Sequence, residues 1–116
     1  IIEAARVTLG KGAPEPVITA SASGGGQKII RCPQCRIALW SHYPGAGEAI
    51  AFVRVGTLDA PGACPPDIHI VTSTKQPWVI IPPGAPVVEE YYRAADYWPA
   101  ESLERRRAAK AQPAKR

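Results

Sequence analysis

The hydrophobic positions of this chain fall in short runs cut by proline, glycine and polar clusters, a spacing that predicts strands and turns. Residues 4–9 (AARVTL) predict a strand closed by Gly10-Lys11-Gly12, and residues 16–20 (PVITA) predict a second. The stretch SASGGG at 21–26 predicts a turn, because glycine takes backbone angles that other residues avoid. Residues 28–31 (KIIR) and 36–42 (RIALWSH) predict two strands flanking Cys32-Pro33-Gln34-Cys35 like the arms of a hairpin. YPGAGE at 43–48 is another turn. Residues 49–56 (AIAFVRVG) are β-branched, aromatic and largely apolar, the strongest strand of the set. A proline-rich loop at 60–67 follows, then short strands at 68–72 (IHIVT) and 78–81 (WVII). Beyond 82–84 (PPG) the sequence is irregular. Pro99 suits the first position of a helix, residues 100–111 are helix formers, and Pro113 ends the run. Only Leu103 in that helix is a large apolar residue, so little holds it to a core.

Composition narrows this to one small domain. The chain has 116 residues, with 13 prolines and 10 glycines, and punctuation of that density suits a mainly β protein. No apolar run reaches the roughly 20 residues of a membrane span, so no membrane partner is expected. The net charge of +4 lies wholly after residue 100, where six cations face two carboxylates; before it eight face eight. A basic tail on a balanced body is a solvated helix end, and no nucleic-acid partner is expected. The chain starts at Ile1 with no initiator methionine and no signal pattern, which predicts a fragment.

The chemistry sits on Cys32 and Cys35, two of three cysteines. A reversible disulfide is one reading, but redox motifs of this spacing open a helix after a strand, and here a strand pattern continues. Two unliganded thiols are another. Strand–knuckle–strand is the usual setting for half a zinc-ribbon-like site, with both thiolates about 2.3 Å from one metal. A closed zinc site needs two further ligands, for which Cys64, His42 and His69 are the candidates. None pairs with another at knuckle spacing. A self-contained site of Cys32, Cys35, Cys64 and His69 stays open at this point. His69 alternates with Ile68 and Ile70, as a sheet histidine or a pocket residue would.

RCPQCRIALW followed by FVRVGTLDAPGACPPDIHIVTSTKQPW resembles the C-terminal half of the glutathione-dependent formaldehyde-activating enzyme family, the CENP-V/GFA domain. The residues that carry the resemblance are Cys32 and Cys35, Gly56-Thr57-Leu58-Asp59, His69-Ile70, and Lys75 with Trp78, across about residues 1–82. The tail YYRAADYWPAESLERR is similar to extensions of fungal members. The resemblance implies an Mss4-like, β-tent fold of twisted antiparallel sheets with a zinc knuckle. It implies Cys32 and Cys35 as structural zinc ligands, and His69 and Trp78 as walls of a substrate pocket. It also implies zinc as cofactor, glutathione as partner, and carbon–sulfur lyase chemistry on glutathione–formaldehyde adducts. Non-catalytic zinc-stabilised binding is the alternative.

This chain departs from the pattern in three places. The family's N-terminal cysteine motifs, including those that hold the catalytic zinc, are absent, so the chain alone is expected to be inactive. Arg36 stands where the knuckle usually runs on into glycine, and Cys64 lies outside the pattern. The expected organisation is residues 1–85 as the C-terminal portion of the domain and 86–116 as an irregular extension with a basic helical tail. Few cysteines at metal-like spacing favour a reducing compartment, the cytoplasm.

Overall fold

The computed structural model describes residues 1–112, and its centre is a five-stranded antiparallel sheet. The strands are β1 (Ile2–Glu3), β2 (Glu15–Thr19), β3 (Gln27–Arg31), β4 (Ala38–His42) and β5 (Ile50–Val53), in the order β1-β5-β4-β3-β2. Strands β2 to β5 form a meander of consecutive hairpins, while β1 joins at the far edge beside β5. Two helices follow, α1 (Ala94–Tyr97) and α2 (Ala100–Ala111). The fold is mainly β with a C-terminal helix, as the alternation and the turn residues predict.

Pairing register explains where the core lies. Val17, Ile29, Ser41 and Phe52 stand opposite one another in successive strands and share one face. Pro16, Ile30, Trp40 and Val53 form the next row and share the other. Ile29 and Ile30 are both buried, so the middle of the sheet is covered on both sides. Ile50, Ala51 and Ala46 complete a small apolar core. Ser41, fully buried among them, accepts a hydrogen bond of 2.9 Å from Nη2 of Arg54. The turn between β2 and β3 requires glycine at one point. Gly26 has φ +72°, and a Cβ there would lie 3.3 Å from the Thr19 carbonyl oxygen.

Four of the expected strands are cut short or absent, for one reason: a strand needs a partner. Of residues 4–9, Ala4 to Arg6 turn into a 3-10 helix, because β5 begins at Ile50 and leaves only Ile2 and Glu3 opposite it. Residues 49–56 pair only to Val53; the Arg54 N–H still reaches the Leu39 carbonyl at 2.9 Å before a 3-10 turn at Val55–Thr57. In 68–72 a single parallel bridge joins His69 to Val87, and a 3-10 turn follows at Thr72–Thr74. Residues 78–81 form no strand; the Val79 N–H closes a turn on the Gln76 carbonyl at 3.0 Å, and Trp78 and Ile80 stand out in solvent.

The irregular extension includes α1, a turn that Arg93 closes with two hydrogen bonds to Asp96, at 3.0 and 2.9 Å. Helix α2 runs as expected from Pro99, whose carbonyl accepts from Ser102 and Leu103. With so little apolar surface, α2 is held by polar contacts. Arg105 bonds Glu3 at 3.1 Å, Lys110 bonds the Gly45 carbonyl at 3.0 Å, and Arg106 lies over the Trp98 ring. Pro113 and the last two cations of the tail lie outside the described residues.

Candidate functional site

Strands β3 and β4 diverge into the knuckle at the end of the sheet. Two backbone hydrogen bonds close it: the Cys32 N–H reaches the Ile37 carbonyl at 3.0 Å, and the Arg36 N–H returns to the Cys32 carbonyl at 2.9 Å. The pairing slips here, with Ile30 opposite Trp40 but Arg31 opposite Ala38, so Leu39 is an extra residue in β4. The turn places Arg36 at φ +63°, the left-handed region that disfavours any side chain. That is the position where the resemblance expects glycine. The Arg36 carbonyl accepts a 2.8 Å bond from Arg31, and its guanidinium pairs with Glu15 at 3.0 Å.

The turn favours the charged form of Cys32: the neighbouring backbone N–H groups of Cys35 and Gln34, and the Cys35 thiol, hold its thiol below the ordinary 9.0. Cys32 is half-buried, Cys35 is exposed, and both are free thiols. A pair of this kind can fill two corners of a tetrahedral metal site.

The structure separates the other candidates from the pair. Among the described residues no three His, Cys, Asp or Glu side chains gather as a metal site, so Cys64 and His69 do not complete one with Cys32 and Cys35. Cys64 is exposed, following the 3-10 turn Pro61–Ala63. His42 has both ring nitrogens engaged: Nδ1 donates to the Ile50 carbonyl at 2.8 Å, and Nε2 accepts from the Trp40 indole at 3.1 Å. The carbonyl can only accept, which fixes the tautomer and removes His42 from the list of ligands.

His69 lines an open depression of about 380 Å³ with Asp67 and five prolines. Trp78 is not among its lining residues and is 77% exposed. The segment carrying His69 leaves the sheet at the knuckle end, since β5 runs out beside Leu39. Sequence reasoning missed Val71, two residues on, a β-branched residue held at φ +54°. Its N–H bonds the Glu90 carbonyl at 3.0 Å, and Ser73 and Thr72 make further bonds to 88–90. No sequence signal marks this, because valine gives no warning of a left-handed backbone.

No curated protein and no solved structure matches the chain. A family model described as glutathione-dependent formaldehyde-activating enzyme matches residues 1–74, more than half of the 116. That span takes in the sheet, the knuckle and the His69 segment. With the mainly β fold, it shows that the chain belongs to the glutathione-dependent formaldehyde-activating enzyme family.

Proposed function

We propose that this chain is part of a zinc-held domain whose activity is carbon–sulfur lyase chemistry on glutathione–formaldehyde adducts. The observation that carries the reading is the knuckle, where two thiols share one tight turn and backbone N–H groups favour the thiolate of Cys32. Cys32 and Cys35 are the zinc ligands on this reading. They fit two of the four positions of a closed structural site, and among the described residues no third ligand gathers beside them. Zinc bound at such a family site supplies folding energy, and at an open position it favours a thiolate or polarises a carbonyl.

In the forward reaction the glutathione sulfur forms a bond to the formaldehyde carbon, and the thiol proton ends on the former carbonyl oxygen. The product is S-hydroxymethylglutathione; the reverse step breaks that bond. The share of this chain is to hold and orient. His69 contributes an imidazole with no hydrogen-bond partner among the described residues as a wall of the substrate site, and Trp78, outside the His69 depression, an exposed indole face to it. Residues 1–85 form the family portion and 86–116 the extension. On this reading no turnover is expected of the chain alone. Its three free cysteines suit the reducing cytoplasm.

Alkylation with and without zinc, read by mass spectrometry, tests the ligand assignment. Zinc should protect Cys32 and Cys35 together and leave Cys64 reactive; equal labelling of all three with zinc present sinks it. A non-catalytic zinc-stabilised binding module is the second reading. It uses the same Cys32–Cys35 knuckle to hold the fold and a ligand without chemistry. Formation of S-hydroxymethylglutathione by a zinc-loaded assembly containing this chain decides between them.

A further inference from the structure

The His69 depression has a chemical bias of its own. Five of its nine lining residues are proline, which has a carbonyl but no N–H. Of the four remaining backbone N–H groups, that of His69 is already given to the Pro86 carbonyl at 2.9 Å. No lysine or arginine lines the depression, whereas Asp67 does. That carboxylate takes part in none of the five salt bridges among the described residues. Three backbone N–H groups and the His69 ring remain as donors, but the carbonyls outnumber them and the one charged lining group is a carboxylate. An anion would meet the repulsion of Asp67. A primary ammonium, three donors and no acceptor, matches it in charge and in hydrogen bonding.

The walls are built to keep that shape. Two prolines precede Asp67, and the opposite wall is residues 82–86, pinned where the His69 carbonyl accepts from Val88 at 2.9 Å. The turn in this wall passes through Gly84 at φ +115°, open only to glycine. Residues 82–86 lie beyond the span of the family match at 1–74.

We infer that the depression between Asp67, His69 and residues 82–86 binds a primary ammonium group, with Asp67 as the residue that selects it. Resting on the glutathione reading above, the ligand group is the α-ammonium of the γ-glutamyl residue. The same chemistry is offered by a lysine side chain, and the test separates the two.

Amide chemical shifts of the full chain are followed by NMR during titration with three probes: glutathione, glutaryl-cysteinyl-glycine (the same tripeptide without its ammonium) and butylammonium chloride. Glutathione and butylammonium should move the amides of His69, Gly84 and Ala85, and the glutaryl peptide should not. Asp67→Asn should weaken glutathione roughly twofold to fivefold, the span of an exposed charge pair. Asp59→Asn, outside the depression, should bind like the parent. If butylammonium moves the site through Asp67 and glutathione does not, the ammonium site stands and the glutathione reading falls. The inference is overturned if the glutaryl peptide moves the site as much as glutathione, if Asp67→Asn binds unchanged, or if no amine moves it.

Discussion

Replacing Arg36 tests the physics of the knuckle directly. At φ +63° the residue carries a Cβ in a backbone region that costs an L-residue about 1–2 kcal/mol. Arg36→Gly removes that strain, but also the Glu15 pair and some order from the unfolded chain. The pair is worth about 0–1 kcal/mol, since its two side chains are 63% and 50% exposed. Arg36→Ala loses the same pair and keeps the Cβ. The difference between the two variants therefore isolates the backbone term. Subtracting about 0.4–1 kcal/mol for the extra freedom of unfolded glycine leaves Arg36→Gly more stable than Arg36→Ala by a central value of about 0.8 kcal/mol. Urea denaturation resolves such a gap, with the slope unchanged and the midpoint moved. The Arg31 hydrogen bond to the carbonyl of residue 36 survives in both variants. An alanine variant as stable as the glycine variant would falsify the claim that strain is stored at this turn.

With zinc in excess, Cys32→Ser should lose the zinc-dependent gain in stability, about 2.7 kcal/mol at a hundredfold excess over the dissociation constant, and Cys64→Ser should keep it. Matched denaturation midpoints for the two would count against the ligand assignment. Val71→Asn should stabilise by about 1 kcal/mol, because asparagine tolerates the left-handed backbone that valine resists; a loss of stability on denaturation speaks against strain at Val71. Ser41→Ala should cost about 1–2 kcal/mol by orphaning the Arg54 guanidinium, and a double variant with Arg54→Met should recover part of it. Hydrogen bonding and charge from the Lys28 ammonium hold the Glu48 carboxyl below its ordinary 4.5. A depressed carboxyl adds stability above its unfolded value and loses it as pH falls through the folded one. Lys28→Gln should therefore flatten the acid limb of the stability curve by about 0.3 kcal/mol, and an unchanged limb means that the pair contributes nothing.

What the sequence foretold divides along the difference between local and non-local structure. Cys32-Pro33-Gln34-Cys35 marks its own turn, SASGGG marks the β2–β3 connection, and residues 100–111 carry their helix in their propensities. Each is settled within a few residues. The runs at 4–9 and 68–72 have the composition of strands, yet pairing is settled by a neighbour elsewhere in the chain, and neither finds one for its length. Arg36 is the instructive case. Its departure from glycine was visible as a missing residue type, and the structure supplies the reason why glycine suits that place. The depression at His69 was legible only as a lone histidine, because its far wall comes from residues 82–86 and is brought there by hydrogen bonds to Pro86 and Val88.

The pairing of β1 with β5 bears on the order in which the molecule assembles. Strands β2 to β5 join neighbours across short turns, contacts that close early at little entropic cost. Glu3 meets Arg105 across 102 residues of sequence, with the whole meander between them. That junction closes last and opens first. Amide hydrogens of Ile2 and of the α2 surface should exchange through a local opening well below the global unfolding free energy, while those of Ile29 and Ser41 wait for the sheet itself. The clasp of β1 and α2 is thus a separate unit of opening, able to detach while the meander that carries the cysteine knuckle stays folded.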